Sequence, residues 1–216
     1  MFEVGNIATG DKLYVEAQHA ARVTLRGVDY GAFGSYAKGL QSGFIAAGMS
    51  AAAPVYAFRY TGAQLCLVRR VRMSACNIAT AFAAGVARFD LFAARSFSAS
   101  DTGGTAATLT GAVGKLRTSM ATTAIGQAMI ATTGANSAGT RTLDADPLAS
   151  LLGGVVATAG IGIVPPNTPF WESRPGEQTL VLANNEGFVI QGTVPATGTW
   201  ALAVSVEYDE VALASW

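Results

Sequence analysis

One histidine, two cysteines and fourteen carboxylates hold most of the reactive chemistry in this chain. His19 stands in the run Glu16-Ala17-Gln18-His19-Ala20. A zinc site built on histidines needs more of them. Cys66 and Cys76 form no Cys-x-x-Cys pair and are too few for a disulfide scaffold. They read as buried thiols in neighbouring strands. A serine triad would have only His19 as its base, and no Gly-x-Ser-x-Gly elbow holds a nucleophile. A glycosidase needs two carboxylates converging on one bond. Glu207, Asp209 and Glu210 lie close in sequence, as do Asp144 and Asp146. Acids at a strand end read first as solvated. Asp146-Pro147 reads as a turn, or as the start of a short helix over Leu148–Leu152 with proline at its first position. Calcium on Asp144 and Asp146 is the competing reading, because hard cations take oxygen ligands. Gly111-Ala112-Val113-Gly114-Lys115 lacks the first glycine of a phosphate loop, and Leu116 occupies its hydroxyl position. The remaining charged motif is Arg69, Arg70 and Arg72 within one strand. It could face a phosphate backbone, a neighbouring subunit's acids, or solvent with ion pairs. The chain is therefore read as a non-enzyme with no catalytic residue, no metal site and no cofactor.

The elements that would position these groups come from a charge-poor background. Charged residues make up 13% of the chain, against about 25% in an average soluble domain. Fourteen basic residues balance fourteen acidic ones. A neutral surface attracts neither nucleic acid nor anionic lipid, and neither is expected as a partner. It also does little to keep copies apart. Alanine, glycine, serine and threonine recur, which permits close backbone approach. Lysine is confined to Lys12, Lys38 and Lys115, so arginine carries most of the positive charge and suits interface ion pairs. Both features point to an assembly subunit, although codon bias toward Ala, Gly and Arg would give a similar composition. The start Met1-Phe2-Glu3-Val4-Gly5 lacks the basic and apolar runs of a signal peptide, so synthesis in the cytoplasm is expected. Leu148–Val164 is the longest apolar stretch, but glycines and polar residues interrupt it and Pro165-Pro166 closes it.

Residues 1–53 read as an N-terminal arm or loop-rich region. Asp11–Ala17 alternates briefly, and Val23-Thr24-Leu25 is a second short candidate strand. Frequent glycines follow, with Phe33, Tyr36 and Phe44 spaced through Phe33–Ala53 as candidate contacts to a neighbour. Residues 54–216 read as a β-domain. Val55–Tyr60 and Leu65–Met73 are β-branched and aromatic and flank Thr61-Gly62, which suggests a hairpin. In the second run Leu65, Leu67, Arg69, Val71 and Met73 are expected on one face. Cys66, Val68, Arg70 and Arg72 are expected on the other. Val86–Phe92 is a further strand, with weaker ones at Ile125–Ala131 and Thr140–Leu143. Near the C-terminal end, Gln178–Leu182, Phe188–Val194 and Trp200–Tyr208 are joined by the turns Asn184–Gly187 and Pro195–Gly198. They are expected to form an antiparallel meander. Trp200, Leu202, Val204, Val206 and Tyr208 would face the core, and Ala201, Ala203 and Ser205 would face outward. The fold class follows: mainly β, an antiparallel β-sandwich or jelly roll with an irregular N-terminal region.

Two stretches carry a resemblance. Asn185-Glu186-Gly187-Phe188-Val189-Ile190, followed by Pro195-Ala196-Thr197-Gly198-Thr199-Trp200 and a closing acidic strand, resembles the C-terminal strands of tailed-bacteriophage virion proteins. Thr140–Leu148 adds to the likeness. The resemblance implies a β-sandwich particle protein of the head-decoration or cement kind, made in the host cytoplasm and carried on the virion. Its expected partners are the major capsid protein or other virion proteins, and copies of itself, with a trimer as the expected size. The candidate interface comprises Phe33, Tyr36, Phe44, Arg69, Arg70, Arg72, Ala201, Ala203 and Ser205. A tail-fibre or spike module that stacks host glycan on Trp171, Trp200, Tyr208 or Trp216 is the alternative. A small jelly-roll lyase or glycan hydrolase is the third reading.

Overall fold

Strands account for all the regular structure in the described residues of the computed structural model, namely 3–5, 12–14, 34–46, 49, 53–160, 162–173 and 178–212. In chain order they are β1 (Glu3–Gly5), β2 (Lys12–Tyr14), β3 (Ser35–Gln41), β4 (Ile45–Ala46), β5 (Ala53–Tyr60), β6 (Leu65–Asn77), β7 (Gly85–Phe97) and β8 (Thr105–Ala106). There follow β9 (Ile125–Ile130), β10 (Arg141–Leu143), β11 (Ala149–Val155), β12 (Gly162–Glu172), β13 (Leu180–Leu182), β14 (Gly187–Thr193) and β15 (Thr199–Val211). β1 and β2 pair with each other. The rest form two antiparallel sheets. The seven-stranded sheet runs β10-β7-β14-β5-β9-β8, with β11 beside β10 along the same edge of β7. The six-stranded sheet runs β12-β6-β15-β3, with β13 following β12 along β6 and β4 following β3 along β15.

The sheets pack face to face as a sandwich. Phe58 of β5 meets Tyr208 of β15 edge-on at 5.2 Å, and Phe89 of β7 meets Trp200 of β15 at 5.6 Å. Tyr36 stacks on Tyr208 at 5.2 Å and Phe58 on Phe188 at 5.1 Å. Such pairs add roughly 0.5–1.5 kcal/mol each beyond the area they bury. Trp200, Leu202, Val204, Val206 and Tyr208 all face this core, as their unbroken alternation predicted. Gly187 has no room for a side chain. A Cβ there would lie 2.0 Å from the Phe58 carbonyl oxygen of the neighbouring strand. Asn185 takes the positive φ (59°) expected of its turn.

The pairing differs from the sequence expectation. β5 and β6 are no hairpin: they lie in opposite sheets. β13, β14 and β15 exist where expected, but they form no meander. The chain passes from the six-stranded sheet to the seven-stranded one and back. The reason is dimensional. Sheets pack about 10 Å apart, and four residues such as Ala183–Glu186 reach roughly 13 Å at 3.3–3.6 Å each. A turn of that length closes a hairpin or crosses a sandwich equally well.

Three further expectations are corrected. The segment after Phe33 is no loop, because β3 pairs with β15 from Ser35↔Asp209 to Gln41↔Ala203. The short helix at Leu148–Leu152 is instead strand β11, whose pairing with β7 supplies the hydrogen bonds a short helix would have made alone. The faces of β6 also change phase at a bulge. Glu207 pairs with Arg70 but Tyr208 with Val68, which leaves Arg69 as the extra residue. Cys66, Val68, Val71 and Met73 therefore share the core, while Leu65, Leu67, Arg70 and Arg72 point outward. Val23–Leu25, His19 and Phe33 lie outside the described residues.

Two sheet edges are guarded. Loop residues 114–116 act as a surrogate strand on β3: Ala37 N–H donates to the Gly114 carbonyl (2.8 Å) and Leu116 N–H to the Ser35 carbonyl (3.1 Å). The buried Lys38 amine donates to the Thr108 and Val113 carbonyls at 2.6 and 2.7 Å, and its burial lowers its pKa. β12 carries Pro165, Pro166 and Pro169 and three register shifts, which spoil it as a template.

Candidate functional site

The outer face of the six-stranded sheet is built in rows, because antiparallel register sets residues of four strands side by side. One row is Glu172, Arg70, Glu207 and Ala37. The next is Pro169, Arg72, Ser205 and Gly39. Ser74, Ala203 and Gln41 follow, and then Gly162, Cys76 and Ala201. The ion pairs gather at one end of this face and small side chains at the other, with Arg72 at the border between them.

At the charged end the arginines are held. Arg70 sits between Glu172 (2.6 Å) and Glu207 (3.2 Å), and the hydrogen bond to Glu172 leads in raising its pKa. Arg69, placed by the bulge, pairs with Asp209 at 2.9 Å, and Ser35 donates to the same carboxylate. Behind this row Leu65, Leu67 and Val211 form a small outward-facing apolar cluster with Val181 against it.

At the other end the surface is a shelf. A cavity of 340 Å³ opens over Arg72, Ser74, Ala203, Ser205, Gly39 and Gln41. A second, of 210 Å³, adjoins it over Ala201, Ala203, Cys76, Val164 and Pro166. Its wall is the bulged part of β12, where Asn167 takes a positive φ of 58°. Arg72 differs from its neighbours. Among the described residues no carboxylate pairs with it, whereas Arg69 and Arg70 each have one.

The sequence-predicted interface residues divide accordingly. Arg70, Arg72, Ala201, Ala203 and Ser205 come together on this face, with Arg69 beside them at the bulge. Ala201 is nearly covered, at 6% exposure, beneath the second cavity. Tyr36 lies in the core and not on this face. It is fully buried against Tyr208, its hydroxyl donates to the Ala121 carbonyl, and burial followed by the nearby Glu210 pushes its pKa up to about 12. Phe44 is 66% exposed but lines neither cavity. Gly39, Gln41, Ser74 and Asn167 were missed. Alternation within Ser35–Gln41 was the available signal, but only the β3–β15 pairing says which face it joins.

The other chemical candidates are placed as well. Asp144 takes a two-pronged grip from Arg95 (2.8–3.2 Å), and that hydrogen bonding holds its carboxyl below the usual range. This pairing engages Asp144, one of the two acids on which the calcium reading rests. Trp200 and Tyr208 are fully buried and offer no open stacking face, whereas Trp171 is partly buried and packs against the core. Trp216 lies outside the described residues. Cys66 is buried and Cys76 exposed, and the two are not bonded. No protein-family model, curated protein or solved structure matches this chain.

Proposed function

We propose that this chain is a structural subunit of a bacteriophage particle, a capsid decoration or cement protein that binds the assembled shell through the shelf on its six-stranded sheet. The shelf carries the proposal. Gly39, Ser74, Ala201, Ala203 and Ser205 lie in adjacent rows, and their short side chains let a partner approach the backbone closely. Arg72 supplies one directional charge in an otherwise neutral patch, ready for a partner carboxylate. The likeness of 182–200 and 140–148 to virion proteins, the charge-poor composition and the sandwich fold support the same reading. The partner is the major capsid protein or another virion protein.

Ala203→Glu tests it. Ala203 is half-buried and neighbours both cavities, and a glutamate there can reach past Ser205 toward Arg72. Melting should change little, by less than about 1 kcal/mol, as for other surface substitutions. Co-sedimentation with shells lacking this protein should be lost. A variant that binds shells as well as the wild type would contradict the proposal.

A further inference from the structure

β11 closes the β7 edge of the seven-stranded sheet; the Ile163 backbone lies against Gly153, but among the described residues nothing hydrogen-bonds to the strand's outer edge. It pairs with β7 from Ala149↔Leu91 to Val155↔Gly85 without a register shift. Among the described residues nothing pairs with its far side. An edge strand turns alternate N–H and C=O groups away from its sheet, and proteins blunt such edges with charge, proline, bulges or a covering loop. β3 has its loop and β12 its prolines, whereas β8 and β10 are only two and three residues long. β11 has seven residues in regular register and, among the described residues, none of these devices. From Pro147 to Trp171 the chain has no acidic or basic residue. On the outer face Leu152 is 73% exposed. Val86 on β7 (52%) and Val156 just past the strand end (55%) extend the patch. The nearest charges, Arg88 and Asp90, pair with each other at 2.8 Å.

We propose that β11 joins two copies of this chain, antiparallel and edge to edge about a two-fold axis at Leu152. The occupant follows from symmetry and charge. A two-fold contact sets each residue against its own counterpart or a near neighbour, so any charge close to the axis meets its like. This strand has none. Full overlap of Ala149–Val155 with its own antiparallel copy places the axis at the central residue. Leu152 then faces Leu152 of the second copy, at roughly 4.5–5.5 Å between Cβ atoms. The pairing joins two seven-stranded sheets into one and removes both free edges. It leaves the shelf on the opposite sheet open, and it holds whether or not that shelf binds a capsid.

Sedimentation velocity on the purified chain at micromolar concentration tests the contact. The wild type should be a dimer. Leu152→Lys and Leu152→Glu should each raise the dissociation constant at least tenfold with unchanged melting, and an equimolar mixture of the two should associate again. A monomeric or trimeric wild type, a Leu152→Lys variant that dimerises like the wild type, or a mixture that stays monomeric would each overturn the proposal. Amide hydrogen exchange over 149–155 gives a reading without substitution. Exchange should slow as concentration rises, and concentration-independent exchange would count against the contact.

Discussion

Glu210 is the residue whose setting departs most from its type. It follows the alternation of β15 into the interior and is 4% exposed. Its Oε1 accepts from the Thr123 hydroxyl (2.6 Å) and the Ala124 N–H (2.8 Å), and the Thr123 oxygen in turn accepts from the Tyr208 hydroxyl at 2.8 Å. Burial raises the carboxyl pKa, and the two hydrogen bonds only partly oppose it. A raised value means that the folded state holds the proton more tightly than the unfolded one. This group's contribution is therefore full below the ordinary glutamate value of about 4.3 and is lost as pH rises through its folded value. Glutamine offers the same acceptor oxygen without ionising. Glu210→Gln should equal or exceed the wild type in stability at neutral pH, and its advantage should shrink as pH falls toward 4. Thermal melting of both proteins across this range measures the difference. A constant difference would show that Glu210 does not titrate in that window. Residue type does not mark this role: Glu207, Asp209 and Glu210 read alike as solvated, and only the parity of β15 separates the inward acid from the outward two.

At the scale of elements, residue type located strands well and partners poorly. Val55–Tyr60, Val86–Phe92 and the three C-terminal runs are strands because β-branched and aromatic side chains pack on a pleated, half-buried surface. Their partners depend on whether each short turn closes a hairpin or crosses the sandwich, and turn length does not decide that. The Arg69 bulge is the second illegible feature, since one extra residue reverses every face that follows it. It also yields a prediction. Arg69→Ala keeps the extra residue and loses one half-exposed ion pair, so it should cost less than about 1 kcal/mol. Deleting Arg69 would close the bulge and leave strict alternation, with Cys66, Val68, Val71 and Met73 still inward and Leu65, Leu67, Arg70 and Arg72 still outward. The deletion should keep a cooperative transition. Chemical denaturation followed by tryptophan fluorescence reads both, because Trp200 is fully buried. A deletion variant that loses its cooperative transition would place the bulge elsewhere.

For the whole molecule, two outer surfaces emerge on opposite sheets. The six-stranded sheet offers the shelf around Ala203, and the seven-stranded sheet ends in the open edge of β11. The shelf was half legible in the sequence, since one strand's outward alanines were visible while the rows beside them came from distant segments. The β11 edge was hidden because its leucines read as a helix after Asp146-Pro147. A subunit that pairs through one sheet and docks through the other would lie on a shell as a two-fold clasp. The most direct measurement is a density map of purified particles at a resolution that traces strands. The account predicts this chain on the outside of the head, with the Ala203 face of its six-stranded sheet against the shell. Its absence from the particle, or density with that face turned to solvent, would contradict it.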